Sequence, residues 1–120
     1  YKKLFADFEF GKIIAFRNGT SSNKWFYSLE INKDKVRATM REIITALQEK
    51  GVQTRAIWGL INEQIPYQGE VTYKLEKAPY YATRILNLPS STQITEDEIK
   101  YVVGKVKLVL EEYVCGDEKN

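Results

Sequence analysis

Between Gly51 and Gln68 the chain reads GVQTRAIWGLINEQIPYQ, bringing Arg55, Trp58, Glu63, Gln64 and Tyr67 into one short stretch. An arginine fork pairs two parallel hydrogen bonds with a carboxylate or a diphosphate. Tryptophan and tyrosine offer flat apolar faces with a polar tip, and hydroxyls suit polar edges. The stretch starts where a periodic helix stops, crosses a short strand and ends in a Pro-containing loop. Loops carrying such groups between packed elements are where function concentrates. Spacing alone makes this a candidate binding loop and goes no further.

The missing residue types narrow the chemistry. There is no histidine, which removes Ser-His-Asp and Cys-His catalysis and every His-containing metal site. The one cysteine, Cys115, excludes an internal disulfide and a Cys-cluster zinc site, and it has no basic sequence neighbour to activate it. Neither a P-loop nor a GxGxxG fingerprint occurs. Self-contained catalysis is not expected, and a lone cysteine fits a reducing cytosol.

The 120 residues suit a single domain with one core. Formal net charge is +2, with 18 basic and 16 acidic residues interleaved, which gives no electrostatic argument for nucleic acid or an anionic membrane. No apolar run approaches the roughly 20 residues that span a bilayer. The start YKKLFADFEF lacks the apolar region of a signal peptide.

The elements that must position the loop follow from periodicity. Tyr1, Leu4, Phe5 and Phe8 recur at helical spacing without a cap, which reads as the end of a longer helix cut off at Tyr1. Gly11 ends that helix, and Lys12–Arg17 reads as a strand. Trp25–Ile31 is the clearest strand, apolar on both faces and therefore central, with Trp25 in the core or an interdomain contact. Asn32–Asp34 offers an N-cap for a helix over residues 35–50. Its stripe of Val36, Met40, Ile43, Ile44 and Leu47 is core, and Gly51 closes it. A strand is expected over Val52–Trp58, a helix over Glu70–Ala82 that Pro79 ends or kinks, and a short strand over Arg84–Leu88. Thr95 with Glu98 forms a capping box ahead of a helix carrying Ile99, Val102, Val103, Val106, Val109, Leu110 and Tyr113 on one face. Gly104 inside it marks close packing, and the tail from Gly116 is polar and mobile. The sum is an α/β (α+β two-layer) domain: a small, mostly antiparallel sheet of three to four strands packed with helices.

Several segments, in order, also resemble one family. Asn23-Lys24-Trp25-Phe26-Tyr27 is similar to its "SNxWFY" strand, and residues 51–58 to "GIQTRPIW". Gln64-Ile65-Pro66-Tyr67 is similar to "QKPY", and Leu88-Pro89-Ser90-Ser91 to "LPxS". These resemble the C-terminal small domain of the DegT/DnrJ/StrS-type aminotransferases, pyridoxal-phosphate enzymes that aminate keto sugars on nucleotides. The nearest resemblance is to the LegC-like branch acting on UDP-linked amino-sugar precursors. Ala56 departs from the family's proline, and no lysine lies in a context resembling that of the Schiff-base lysine.

The resemblance implies the small domain of a fold-type I aminotransferase whose large, cofactor-binding domain is absent. It implies pyridoxal phosphate in the parent enzyme and none bound to these residues alone. A nucleotide-sugar substrate, an amino donor (glutamate), a homodimer and cytoplasmic polysaccharide or glycan-sugar biosynthesis follow in the same way. Small domains of this kind cover the cofactor cleft, exclude water and touch the substrate.

Two readings stand for each candidate site residue. Arg55 is an anion contact to substrate or donor carboxylate, or a salt bridge across the sheet or to a neighbouring helix. Trp58 lines a sugar pocket or plugs the core. Gln64 and Tyr67 are pocket groups, or a turn anchored by a buried ring. Ser90 and Ser91 read as turn residues, and Tyr80 and Tyr81 as structural. A free-standing binding module and a purely structural docking domain remain as alternatives. The expected discriminator is a contiguous exposed apolar patch, which an excised domain has and a stand-alone module lacks.

Overall fold

The computed structural model describes residues 1–114. Its sheet has four short strands: β1 (Gly11–Ile13), β2 (Tyr27–Ile31), β3 (Arg55–Ala56) and β4 (Ile85–Leu88). The spatial order is β1-β2-β4-β3, and every pairing is antiparallel. The helices are α1 (Met40–Glu49), α2 (Lys77–Ala82) and α3 (Glu96–Glu112). This is the expected two-layer α+β arrangement, and β2 lies between β1 and β4 as expected, although only its Tyr27, Leu29 and Ile31 face is apolar and Ser28 and Glu30 occupy the other.

The register divides the sheet into two faces. Leu29 pairs with Leu86 and Tyr27 with Leu88 on the helix side. Leu29, Ile31, Leu86 and Leu88 meet Ile43 and Leu47 of α1 and Val102, Val103, Val106, Val109 and Leu110 of α3 in one core. On the other face Ser28 lies opposite Asn87, and Arg55 lies opposite Asn87 from the far side. The Ser28 hydroxyl donates to the Asn87 side-chain oxygen at 2.7 Å, which satisfies an amide that is 6% exposed.

Local sequence sets the helix ends. Thr39 and Glu42 form a capping box at α1, and Thr95 and Glu98 form the expected one at α3. Gly51 has φ +77° just past α1, the left-handed conformation glycine adopts without strain. Phe5 is fully packed into the core. Tyr1 donates from its hydroxyl to the Pro89 carbonyl at 2.7 Å, and burial pushes that hydroxyl up to about 12.

Several expectations are corrected. Residues 1–8 form a succession of short turns, not the end of a helix. Gly11 opens β1 instead of ending a helix, and a Cβ there would lie 3.2 Å from Leu29 Cδ1. Helix α1 starts at Met40. Asn32 caps only a turn, its side-chain oxygen accepting from the Asp34 N–H, and the Arg37 N–H donates to the Tyr113 carbonyl beside α3. Pairing in β1, β2 and β3 is shorter than expected. Trp25 precedes β2 and is 65% exposed, so it is not core. Of residues 70–82 only Lys77–Ala82 is helical. Pro79 falls in the first turn, where its missing N–H costs nothing, so it opens the helix instead of breaking it. No atom lies within 4 Å of a Cβ built on Gly104, so close packing does not explain that glycine. Cys115 and the tail lie outside the described residues.

Candidate functional site

The walls of the main cleft are the segment leaving α1, the β4–α3 loop and the first turns of α3. Its volume is about 900 Å³, within the range of small-molecule sites, and Phe26, Thr54, Arg55, Ser91, Gln93 and Asp97 contribute to its lining. The Ser91 hydroxyl accepts from the Gln93 N–H at 3.3 Å, and Ser90 donates to the Trp25 carbonyl. Both serines therefore act as turn residues that bring α3 beside β2. Asp97 reaches Lys100 at 3.7 Å along its own helix, an exposed pair that contributes little.

Arg55 is exposed at the start of β3, and its guanidinium makes no ion pair or hydrogen bond among the described residues. The salt-bridge alternative for Arg55 is therefore not realised. The preceding Thr54 is 6% exposed, and its hydroxyl has no hydrogen-bond partner among the described residues.

Trp58 is 67% exposed and so does not plug the core. Its ring centroid lies 5.5 Å from Phe26 and 6.3 Å from Trp25, while Trp25 stacks on Phe26 at 4.7 Å and 28°. Phe26 thus belongs both to the cleft that holds Arg55 and to the aromatic cluster that holds Trp58. Gln64 and Tyr67 are elsewhere. They sit on two short 3-10 turns, Ile61–Glu63 and Ile65–Tyr67 with Gln64 between, and do not line the cleft. Gln64 Nε2 donates to the Leu60 carbonyl at 3.4 Å, and its backbone carbonyl accepts from the Tyr67 N–H at 2.9 Å. Tyr67 is half-exposed, so no buried ring anchors that turn.

Thr54, Phe26, Gln93 and Asp97 were not singled out by sequence reasoning. Phe26 carried a signal, since it adjoins Trp25 in a strand with two apolar faces. Nothing local marks the other three, which the β4–α3 loop brings together.

The fold and cleft define a small α+β domain with an unengaged arginine and an exposed aromatic cluster, suited to an anionic ligand with a flat ring. The chain belongs to the DegT/DnrJ/EryC1/StrS aminotransferase family, whose model matches residues 1–107. Its fold is similar to that of DesI, solved in the presence of its TDP-sugar product, with 26% identity and a TM-score of 0.81 over 90% of this chain. It is also similar to the putative sugar aminotransferase Spr1654 from Streptococcus pneumoniae in its PMP form (20% identity, TM-score 0.81, 94% of this chain). Helicobacter pylori PseC, an aminotransferase involved in the biosynthesis of pseudoaminic acid, shares the fold at 16% identity and TM-score 0.83 over 94% of this chain. The chain spans 28%, 29% and 30% of those three proteins, respectively. No curated protein sequence matches it.

Among the described lysines, Lys33 is not placed to hold pyridoxal phosphate, the coenzyme of such aminotransferases. That group needs a free lysine amine facing an enclosed pocket, beside donors for its phosphate. Among the described lysines, Lys33 has its ammonium held below the ordinary value, by burial and then by repulsion from Arg84, with Glu42 opposing. Its Nζ, however, donates to the Ala38 carbonyl. Arg84 beside it is engaged by the Tyr80 carbonyl at 3.0 Å and by the Tyr80 ring at 3.9 Å. No helix among the described residues is long and apolar enough to cross a membrane.

Proposed function

We propose that these residues are the C-terminal small domain of a pyridoxal-phosphate aminotransferase that moves an amino group, from glutamate, to a keto sugar on a nucleotide. The observation that carries this reading is the unengaged Arg55 facing a ligand-sized cleft in a chain of an aminotransferase family. Arg55 supplies the anion contact to the substrate. Trp58 borders the substrate from the aromatic cluster, and Gln64 and Tyr67 approach it from the exposed excursion. The large domain holds the coenzyme and its lysine, so the 120 residues alone neither bind it nor transaminate. The order of the motifs favours the LegC-like branch, a homodimeric parent, and a role in cytoplasmic polysaccharide or glycan-sugar biosynthesis.

Exposed apolar side chains favour a piece of a larger assembly over a stand-alone module. Ile61, Ile65, Val71 and Tyr73 project from residues 59–76, and Val71 is 98% exposed. The Cα radius of gyration is 15.9 Å, against about 13.6 Å for a compact domain of this length. Side chains of this kind mark a contact surface.

The test supplies isotope-labelled glutamate and a TDP- or UDP-linked 4-keto sugar to the whole protein encoded by the gene, with the 120 residues as a parallel sample. Label in the sugar amine from the whole protein alone supports the reading. An unlabelled sugar from both, with each keto sugar supplied in turn, refutes it.

A further inference from the structure

At the end of the sheet opposite the cleft, a second cavity of about 420 Å³ opens between the segment after β2 and the segment ahead of β4. The Ile31 N–H donates to the Arg84 carbonyl at 2.9 Å, which holds these two segments together. Asn32 then turns the chain, its side-chain oxygen accepting from the Asp34 N–H, and Lys33 joins Arg84 in the cavity wall.

Both cations are half-buried, and neither makes an ion pair among the described residues. The carboxylates of the cavity wall are committed elsewhere or lie in solvent. Glu30 is reached by Lys12 at 3.5 Å and accepts from the Tyr80 hydroxyl at 3.0 Å. Glu9 pairs with Lys35, and Asp34 stands exposed at the rim. Burial and then the neighbouring Arg84 hold the Lys33 ammonium below its ordinary value, and the opposing pull of Glu42 is weaker. Partly buried like charges without a counter-charge are unfavourable, and folded proteins keep such groups paired.

Each cation also has uncommitted donors. Lys33 Nζ gives one N–H to the Ala38 carbonyl and keeps two, enough for an anion although not the free amine that an aldehyde needs. Arg84 commits only Nη1, to the Tyr80 carbonyl at 3.0 Å and the Thr83 hydroxyl at 3.3 Å. The Tyr80 ring lies 3.9 Å from the guanidinium carbon and steadies its plane, so Nε and Nη2 remain as a fork of donors among the described residues.

We infer that Lys33 and Arg84 hold a phosphate group, free or on a small ester, in this cavity. Such a group carries nearly two charges and three acceptor oxygens, which matches two adjacent cations with uncommitted N–H groups. The site is separate from Arg55 and independent of the aminotransferase reading.

The test uses the whole protein encoded by the gene, carrying Arg55→Ala to remove the anion contact of the cleft. Equilibrium dialysis at physiological ionic strength follows radiolabelled inorganic phosphate and, separately, radiolabelled glycerol 3-phosphate. The expected result is saturable binding of at least one of them, weakened by about tenfold or more when Lys33→Gln or Arg84→Gln is added. Arg84→Gln decides the matter where Lys33→Gln does not fold. A preference for the free ion or for the ester tells which source the site serves, and either supports it. No saturable binding of either ligand, or binding that survives both substitutions in folded protein, overturns the assignment. Amino transfer by the unmodified protein without this binding refutes the site alone, and binding without amino transfer supports the site while refuting the aminotransferase reading.

Discussion

Thr54 provides the sharpest stability test. Its hydroxyl is buried with no hydrogen-bond partner among the described residues, although the residue lines the cleft. An unpaired buried hydroxyl costs on the order of 1–3 kcal/mol relative to hydration. Thr54→Val keeps the β-branched shape and χ1 preference while replacing that hydroxyl by a methyl group. Burying the added methyl contributes up to about 0.8 kcal/mol in the same direction. Allowing for imperfect packing of the methyl, the variant is expected to be more stable by about 1–2 kcal/mol. For a domain of this size that raises Tm by about 4–8 °C. Urea unfolding followed by circular dichroism, with equal m values for the two proteins, measures the difference. Thr54→Ser keeps the hydroxyl, loses the methyl, and should destabilise by about 1 kcal/mol. If Thr54→Val is the less stable protein, the hydroxyl has a partner in solution and the reasoning fails.

Two further predictions concern the helices. Gly104→Ala fills open space on an exposed position of α3 and should stabilise by about 1 kcal/mol in the same unfolding assay, where a loss would reveal a neighbour. The Glu98 carboxyl is held below its ordinary value near 4.5 by the Thr95 backbone N–H and then by the Thr95 hydroxyl. Glu42 is lowered likewise by the Thr39 hydroxyl and then its N–H, with burial opposing. Depressed carboxyls stabilise the fold above their unfolded value, and that contribution is lost as pH falls through the folded one. Glu98→Gln should therefore differ most from the parent above about pH 4.5 and converge with it in more acid solution, as unfolding midpoints at several pH values would show. A constant difference across that range would contradict the capping account.

The sequence was most legible where one local signal and one periodic face agreed. Thr95, Glu98 and the stripe from Ile99 to Leu110 specify α3 without tertiary information, and α3 forms as expected. The stripe of α1 was equally plain, but its start was not. Asn32–Asp34 was the expected cap, whereas Thr39 and Glu42 form it and the Arg37 N–H ahead of them donates to the Tyr113 carbonyl. Apolar alternation could not tell that Trp25 and Trp58 would be left uncovered, because a period reports a face and not what lies against it. Residues 59–70 form turns, whereas the helix expected from Glu70 begins only at Lys77, and the exposed Val71 and Tyr73 carry no face that would extend it. Arg55 was picked out by residue type and context, whereas Thr54 and Gln93 join the site through loops that no local rule encodes.

The central claim is that Arg55 holds an anionic substrate of an aminotransferase. The direct measurement compares steady-state amino transfer by the whole protein and its Arg55→Ala variant, with donor and keto nucleotide-sugar varied in turn. Losing a charge-assisted pair of hydrogen bonds, worth about 1.5–3 kcal/mol, should raise KM for one of the two substrates by about tenfold or more. KM for the other substrate and the unfolding midpoint should stay unchanged. Equal kinetics in the two proteins, or loss of activity only through unfolding, would contradict the account.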